Sequence, residues 1–445
     1  MRTRLAALAS LLWALHYCAH CRGWAGWALD LGVVVAASLL WLGRSRAEFL
    51  LGSAGLIFAA AIRPWAGAGF VWVNAGYVLA AVYAAPRVAQ ALSRTRPARS
   101  LPRPAAIAGA VAVFAALAHE ARPAWLMARP DLRRAALDGL APTFPVKDPK
   151  TLTPAAARLR RHVVALAREI GERSVYSPKA QEKTKDYLVA RLREAGLDPE
   201  VVDFMPERPF DFARTVPFRN VEAVFAAAPG APKGAWVVGA HYDTAPGTPG
   251  ADDNASGTAV LLEIAARLKD APRGREVRVV FFAAEEPPSF GTRDMGSLRY
   301  ARSLRARGVA LHGLVNLEML GYYNPKPGSQ LFPPFLRPFY PDRGEFLGAV
   351  SNLRSLGLLR ELKAAWPAGS PVPLESVVLP FVFSTVALSD QLNFWGQGDR
   401  AVMLSDTSFF RNSRYHQGDD VPDTLDYEKM AAAVEGVVSV LSPRK

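Results

Sequence analysis

Residues 236–257 read WVVGAHYDTAPGTPGADDNASG, and this stretch constrains the fold more than any other. Its first five residues, 236–240, are continuously apolar, the pattern of a strand buried on both faces. The run ends at His241, and Asp243 stands two residues on. A Pro/Gly loop follows, then Asp252-Asp253-Asn254, then a helical pattern over 255–268. A strand covered on both faces needs helices on both sides of its sheet, so the chain is expected to be α/β. A histidine and carboxylates at the carboxyl end of such a strand, beside a helix start, stand where open α/β sheets bind ligands. They also offer the donor types of a metal site.

The same pattern recurs downstream. The apolar run RVVFFAA at 278–284 ends in Glu285-Glu286. Residues 314–317 end in Glu318. Residues 401–404 run into Ser405-Asp406 and a loop that reaches Tyr415-His416. In a parallel sheet all these ends point to one edge. Two adjacent glutamates delivered there by an apolar strand repel each other unless cations offset them. Two histidines, a bridging aspartate and two further carboxylates suffice for two zinc ions, with water completing the coordination. Residue chemistry alone does not separate Asp252 from Asp253 as the bridge.

Around these motifs the predicted strands are 201–204, 221–226, 235–240, 277–283, 314–317, 376–379 and 401–404. The predicted helices are 155–173, 179–195, 255–268, 295–307, 345–364 and 427–441. Strands alternating with helices indicate a mixed, largely parallel central sheet flanked by helices, in a domain over 154–445. Residues 322–340, YYNPKPGSQLFPPFLRPFY, are long for a connection; the aromatics either line a pocket or form the loop's own small core.

The first third of the chain is different. Residues 1–130 hold thirteen arginines, no lysine and three acids, Asp30, Glu48 and Glu120, so they carry +10 of the formal +13. The charge sits between five apolar runs, 5–19, 24–42, 49–62, 66–85 and 105–118. Membrane topology explains that placement better than nucleic-acid binding, which is not expected. Arginine-rich gaps (Arg2, Arg4; Arg44, Arg46; Arg87, Arg94, Arg96, Arg99, Arg103) alternate with gaps holding Arg22 or Arg63 alone. Under the positive-inside rule this predicts about five transmembrane helices within 1–122, a cytoplasmic N-terminus, contact with membrane lipid, and a multi-pass protein of the cell (inner) membrane. The 154–445 domain would then be extracytoplasmic, joined through a linker at 123–153. Only Cys18 and Cys21 occur, both in the apolar part, which excludes thiol chemistry and a disulfide framework in the rest.

Five ordered motifs from Pro154 onward resemble the M28 zinc metallopeptidases: HYDT at 241–244, GADDNASG at 250–257, AEEPP at 284–288, NLEMLGYY at 316–323 and DTSFFRNSRYH at 406–416. The resemblance implies a zinc-exopeptidase-like fold and a di-zinc exopeptidase, an aminopeptidase above all, acting on peptides. It implies that His241 and Glu318 hold one zinc, that Glu286 and His416 hold the other, and that Asp253 bridges them. Asp243 would orient His241, Glu285 would be the general base, and Tyr415 would polarise the scissile carbonyl. Many members have Asp at the Glu318 position, and His is frequent where this chain has Gln391, a change that alters specificity if that residue meets substrate. Two other readings compete: a glutaminyl-cyclase-like enzyme with one zinc, and a non-catalytic receptor or scaffold. The full ligand set argues against both. Oligomeric state is not legible in the sequence.

Overall fold

The computed structural model describes residues 130–140, 149–207, 216–270, 274–332, 339–378 and 387–442. The five apolar runs and their arginine-bearing gaps lie outside the described residues. Among the described residues no helix is long and apolar enough to cross a membrane.

Eight strands form one mixed sheet in the order β1-β2-β4-β3-β5-β8-β6-β7. They are β1 (Glu200–Phe204), β2 (Phe218–Phe225), β3 (Ala235–His241), β4 (Val277–Phe282), β5 (Leu311–Glu318), β6 (Leu347–Ser351), β7 (Leu374–Val378) and β8 (Ala401–Ser405). The central strands β4, β3, β5 and β8 run parallel, and so do β6 and β7. The pairings β1–β2, β2–β4 and β6–β8 are antiparallel. The parallel part is therefore the middle of the sheet, where each strand is buried on both faces. Every residue of β3 is buried, as its unbroken apolar run requires.

Helices cover the two faces. On one, α2 (Pro154–Val164), α3 (Pro178–Glu194), α4 (Gly257–Leu268) and α8 (Tyr427–Leu441) enclose the larger core, which includes Leu159, Leu188, Val238, Leu261, Val315 and Met430. On the other, α5 (Gly296–Ala306) and α7 (Gln391–Gly396) close over Val237, Val280, Phe282, Leu314 and Phe394. Each aliphatic side chain fully buried in this way contributes ~1.5–3 kcal/mol relative to exposure. The N-termini of α2 and α8 are closed by Thr153, which accepts from the Ala156 amide, and by Asp426, which accepts from the amides of Glu428 and Lys429.

Three expectations are corrected. The segment predicted as one helix over 345–364 is strand β6 followed by α6 (Leu356–Ala365). Its apolar residues suit either period, and pairing with β7 and β8 decides the first half. The stretch 391–396, given no element in the sequence, is α7. The stretch 123–153, read as a linker, contains α1 (Pro130–Leu137), which carries the fully buried Arg133. An eight-residue helix among prolines and arginines gives too short a periodic pattern to stand out in sequence, and the burial of Arg133 comes from partners distant in sequence.

Candidate metal centre

The carboxyl ends of β3, β4 and β5 meet at one edge of the sheet, and β3, the central strand, ends on His241 itself. Beyond β3 the chain passes Gly250, whose left-handed φ of 60° and tight surroundings admit only glycine. A Cβ there would lie 2.3 Å from the Asp253 carbonyl oxygen and 2.4 Å from Thr244 Cγ2. The turn Ala251–Ser256 then leaves helical geometry at Asp253 and Asn254, which brings the Asp253 carboxylate to the sheet edge. Asp420 fixes this turn by accepting the backbone amides of Asp252, at 3.0 Å, and Asp253, at 3.1 Å. From below, the fully buried guanidinium of Arg173 donates to the carbonyls of Tyr242, Pro249 and Gly250.

Adjacent glutamates on a straight strand would face opposite ways. The sequence points to Pro287-Pro288 for the turn that reconciles them. The turn comes earlier, at Ala284, whose φ is 56°. Asp243 then accepts both following amides, Glu285 at 3.1 Å and Glu286 at 3.0 Å, one on each oxygen. Its Oδ1 also faces His241 Nδ1 at 3.5 Å. Asp243 thus orients the glutamate pair as well as the histidine. Non-glycine residues with positive φ recur at Met319, just after Glu318, and at His416, a costly conformation that surrounding contacts have to hold in place.

Two ligand groups result, and they share Asp253. In the first, His241 Nε2 lies 3.4 Å from Asp253 Oδ1 and 3.3 Å from Glu318 Oε2. In the second, His416 Nε2 lies 3.2 Å from Asp253 Oδ2 and 3.1 Å from Glu286 Oε2. A tetrahedral zinc with bonds of ~2.0 Å separates its ligands by about 3.3 Å, so both groups fit that ion. Several of these side-chain atoms also lack hydrogen-bond partners. His241 Nε2, His416 Nε2, Asp253 Oδ1 and Glu286 Oε1 are buried without a hydrogen bond, a cost that a bound cation removes. Asp252 is in neither group: it turns away to accept from Asn412 at 2.7 Å and from the Gly321 amide at 2.9 Å.

The remaining predicted residues converge on the same place. Glu285 Oε2 lies 3.9 Å from His241 Nε2 and belongs to neither ligand group. The Tyr415 ring stacks on the His416 ring at 3.8 Å. Burial, reinforced by the nearby carboxylates of Asp253 and Glu286, holds the Tyr415 hydroxyl well above its ordinary pKa, so it is a neutral donor. Ser389 donates to Glu318 Oε2 at 2.6 Å and accepts from Asn316, which also donates to Gln391 at 3.3 Å. Gln391 is fully buried, linked to Glu318 through Asn316 and Ser389. Asp420, Arg173, Ser389 and Asn316 were not singled out from sequence. Their roles are hydrogen bonds to partners tens of residues away, and only the position of Asp420, four after His416, could have hinted at one.

Without metal, burial lowers the pKa of each histidine but the facing carboxylates overcome it. His416 is raised to about 10 by Glu286 and Asp253, and His241 lies well above its ordinary value through Glu318 and Glu285. The facing carboxylates thus favour the protonated imidazoles in the metal-free protein, and a cation has to displace those protons. Zinc uptake is therefore expected to release protons, and zinc affinity to rise with pH between 6 and 8, about tenfold per pH unit for each proton displaced. Calorimetric titration in two buffers of different ionisation enthalpy counts the protons; affinity independent of pH would contradict this electrostatic picture.

A cavity opens beside Glu318 and Tyr415. Leu331, Phe332, Phe346, Val350, Met403 and Phe409 are among its apolar lining residues, with Tyr340 at the wall. Of the two expected uses of the loop 322–340, the described residues show pocket lining; Tyr323 joins the main core of the domain rather than a separate core of the loop. Tyr322 and Tyr323 are fully buried, whereas Phe332 and Tyr340, stacked at 5.5 Å, face the cavity.

Comparison with known proteins agrees with this geometry. Residues 220–441 match Peptidase family M28. The uncharacterized protein YfbL of Escherichia coli (strain K12) is 40% identical over 234 residues, 51% of this chain and 71% of that protein. Aminopeptidase YwaD of Bacillus subtilis (strain 168) is 42% identical over 85 residues, 19% of this chain and 18% of that protein. Among solved structures, BSAP, a zinc aminopeptidase from Bacillus subtilis, shares the fold with a TM-score of 0.50 at 16% identity, over 66% of this chain and 97% of that one.

Proposed function

The chain belongs to peptidase family M28, and on that premise we propose that it is a di-zinc aminopeptidase that removes apolar residues from the free N-termini of peptides. The observation that carries the two-ion reading is the pair of three-ligand groups joined through Asp253, with both imidazole Nε2 atoms otherwise unpartnered. His241, Asp253 and Glu318 would hold one zinc; Asp253, Glu286 and His416 would hold the other. Bound zinc lowers the pKa of water and polarises a carbonyl oxygen.

The protein's own residues do the rest. Glu285, buried and outside both ligand groups, takes the proton of the attacking water and passes it to the departing amine. Tyr415, neutral at working pH, donates to the carbonyl oxygen as negative charge develops there. Asp243 keeps Glu285 and Glu286 in register with His241 through their amides. Met1 to about residue 122 we read as the membrane anchor, with the peptidase domain outside the cytoplasm, because arginine-rich and arginine-poor gaps alternate.

Two features of the cavity support aminopeptidase action on apolar residues. Its walls are mainly aromatic and aliphatic, and no lysine or arginine is among the described residues that line it, whereas Glu318 and Glu375 are. That surface suits an ammonium group and an apolar side chain. Burying a leucine-sized side chain is worth ~1.5–3 kcal/mol, so kcat/KM for peptides starting with Leu, Phe or Met is expected to exceed that for Gly about 10-fold or more. N-acetylation should abolish cleavage, as measured by product analysis. Equal cleavage of acetylated peptides from the other end would overturn the assignment. The single-zinc cyclase reading predicts one ion per chain at saturating zinc, where this reading predicts two.

A further inference from the structure

Arg133 stands outside residues 220–441 and outside the motifs of the peptidase, yet its side chain is fully buried against the loop that bears His416. Its Nε donates to the Ser413 carbonyl at 3.2 Å and its Nη2 donates to the Tyr415 carbonyl. The guanidinium carbon lies 5.4 Å from the centre of the Tyr415 ring. The next residue of α1, Arg134, pairs with Asp419 at 2.6 Å. The helix thus grips the 413–419 loop on both sides of His416.

The Tyr415 carbonyl belongs to the peptide unit that leads directly into His416. His416 has a φ of 58°, a region sparsely populated by non-glycine residues. Holding the preceding carbonyl sets the plane from which the His416 side chain departs. Arginine suits this position because its planar fork reaches two carbonyls at once and still packs against an aromatic ring, which a lysine does not reproduce. Burying a guanidinium is expensive, and its pKa, pushed down to about 10 chiefly by desolvation, reflects that cost. Two carbonyls and a ring of the loop that carries Tyr415 and His416 compensate part of this, and the Asp138 and Asp419 carboxylates add favourable charge.

We propose that Arg133 is a positioning residue for the second metal site: it holds the Tyr415–His416 peptide in the conformation that presents His416 to Asp253 and Glu286. The helix just before the peptidase domain is then part of its working site. This rests on the two-zinc reading for its metal consequence alone; the loop conformation can be tested without zinc.

The test uses the full chain and its Arg133→Ala and Arg133→Lys variants. Hydrogen exchange on the zinc-free proteins should show faster exchange confined to about residues 412–420 in Arg133→Ala, with the β3 and α4 amides unchanged. Zinc titration should show one of two sites weakened ~10–100-fold, the range for losing an outer partner of a ligand. For an unblocked peptide, kcat should fall with little change in KM, and millimolar methylguanidinium should partly restore it. Arg133→Lys, which keeps the charge but not the fork, should lie between. Unchanged loop exchange with unchanged zinc affinity would overturn the proposal, as would exchange raised uniformly across the domain, the mark of a merely structural arginine. If Arg133→Ala does not fold, the same two measurements on Arg133→Lys decide it. Altered loop exchange in a protein that binds only one zinc would sustain the positioning role and sink the two-zinc reading.

Discussion

Glu285→Gln is expected to reduce turnover of an unblocked peptide at least ~100-fold, the lower end of what a general base contributes. Zinc content, fold and KM should stay close to those of the parent. Glutamine keeps the shape and reach of the side chain but loses the basic oxygen. Because Glu285 is in neither ligand group, its loss leaves each ion a full set of donors. Burial and the neighbouring Glu286 carboxylate raise its pKa in the metal-free protein, partly countered by His241, so its basicity depends on the cations the site is built to hold. The companion Glu286→Gln should behave oppositely, losing zinc from the His416 site and recovering part of its activity when zinc is added. Zinc analysis and steady-state kinetics on the same samples separate the two. If Glu285→Gln loses zinc and regains full activity when zinc is replenished, base and ligand have been exchanged.

Asp253→Ala is expected to be more damaging, because both groups depend on one carboxylate whose two oxygens face different histidines. Both zinc occupancies should drop, each ion weakening by more than the roughly 10–100-fold lost when an outer partner of a ligand is removed, and peptidase activity should fall to background. Without metal, the two protonated histidines hold the Asp253 carboxyl well below its ordinary pKa despite its burial. Alanine therefore also leaves two buried cations short of a counter-charge, and the metal-free variant should melt below the metal-free parent. A variant that loses one ion and keeps the other at full affinity would show that Asp253 is not shared.

The sequence by itself determined the kind of fold and which side chains gather at its carboxyl edge. An unbroken apolar run before His241 could only be a strand covered on both faces, and β3 is buried at every residue. The ends of β4, β5 and β8 were legible for the same reason, and with them the eight residues that now stand together: His241, Asp243, Asp253, Glu285, Glu286, Glu318, Tyr415 and His416. These signals are local, since a strand's pattern and the residue at its end lie within one stretch of chain.

What only the tertiary structure decided depends on contacts across the sequence. The family resemblance implies Asp253 rather than Asp252; how the two carboxylates part is tertiary, in a turn that leaves helical geometry at Asp253 and Asn254 and is held by Asp420 from more than 160 residues away. The reversal at Ala284 is imposed by neighbours, because alanine does not favour it, and the left-handed backbone at His416, uncommon for any non-glycine residue, is not specified by its own residue type either. Strand β6 hid within a pattern that also reads as helix until β7 and β8 paired with it. Arg133 was hidden most completely: in sequence it is one arginine among many near an arginine-rich segment, and its meaning comes from carbonyls 280 and 282 residues downstream. A buried charge declares itself only when its surroundings are known, because the same side chain in water would carry no information.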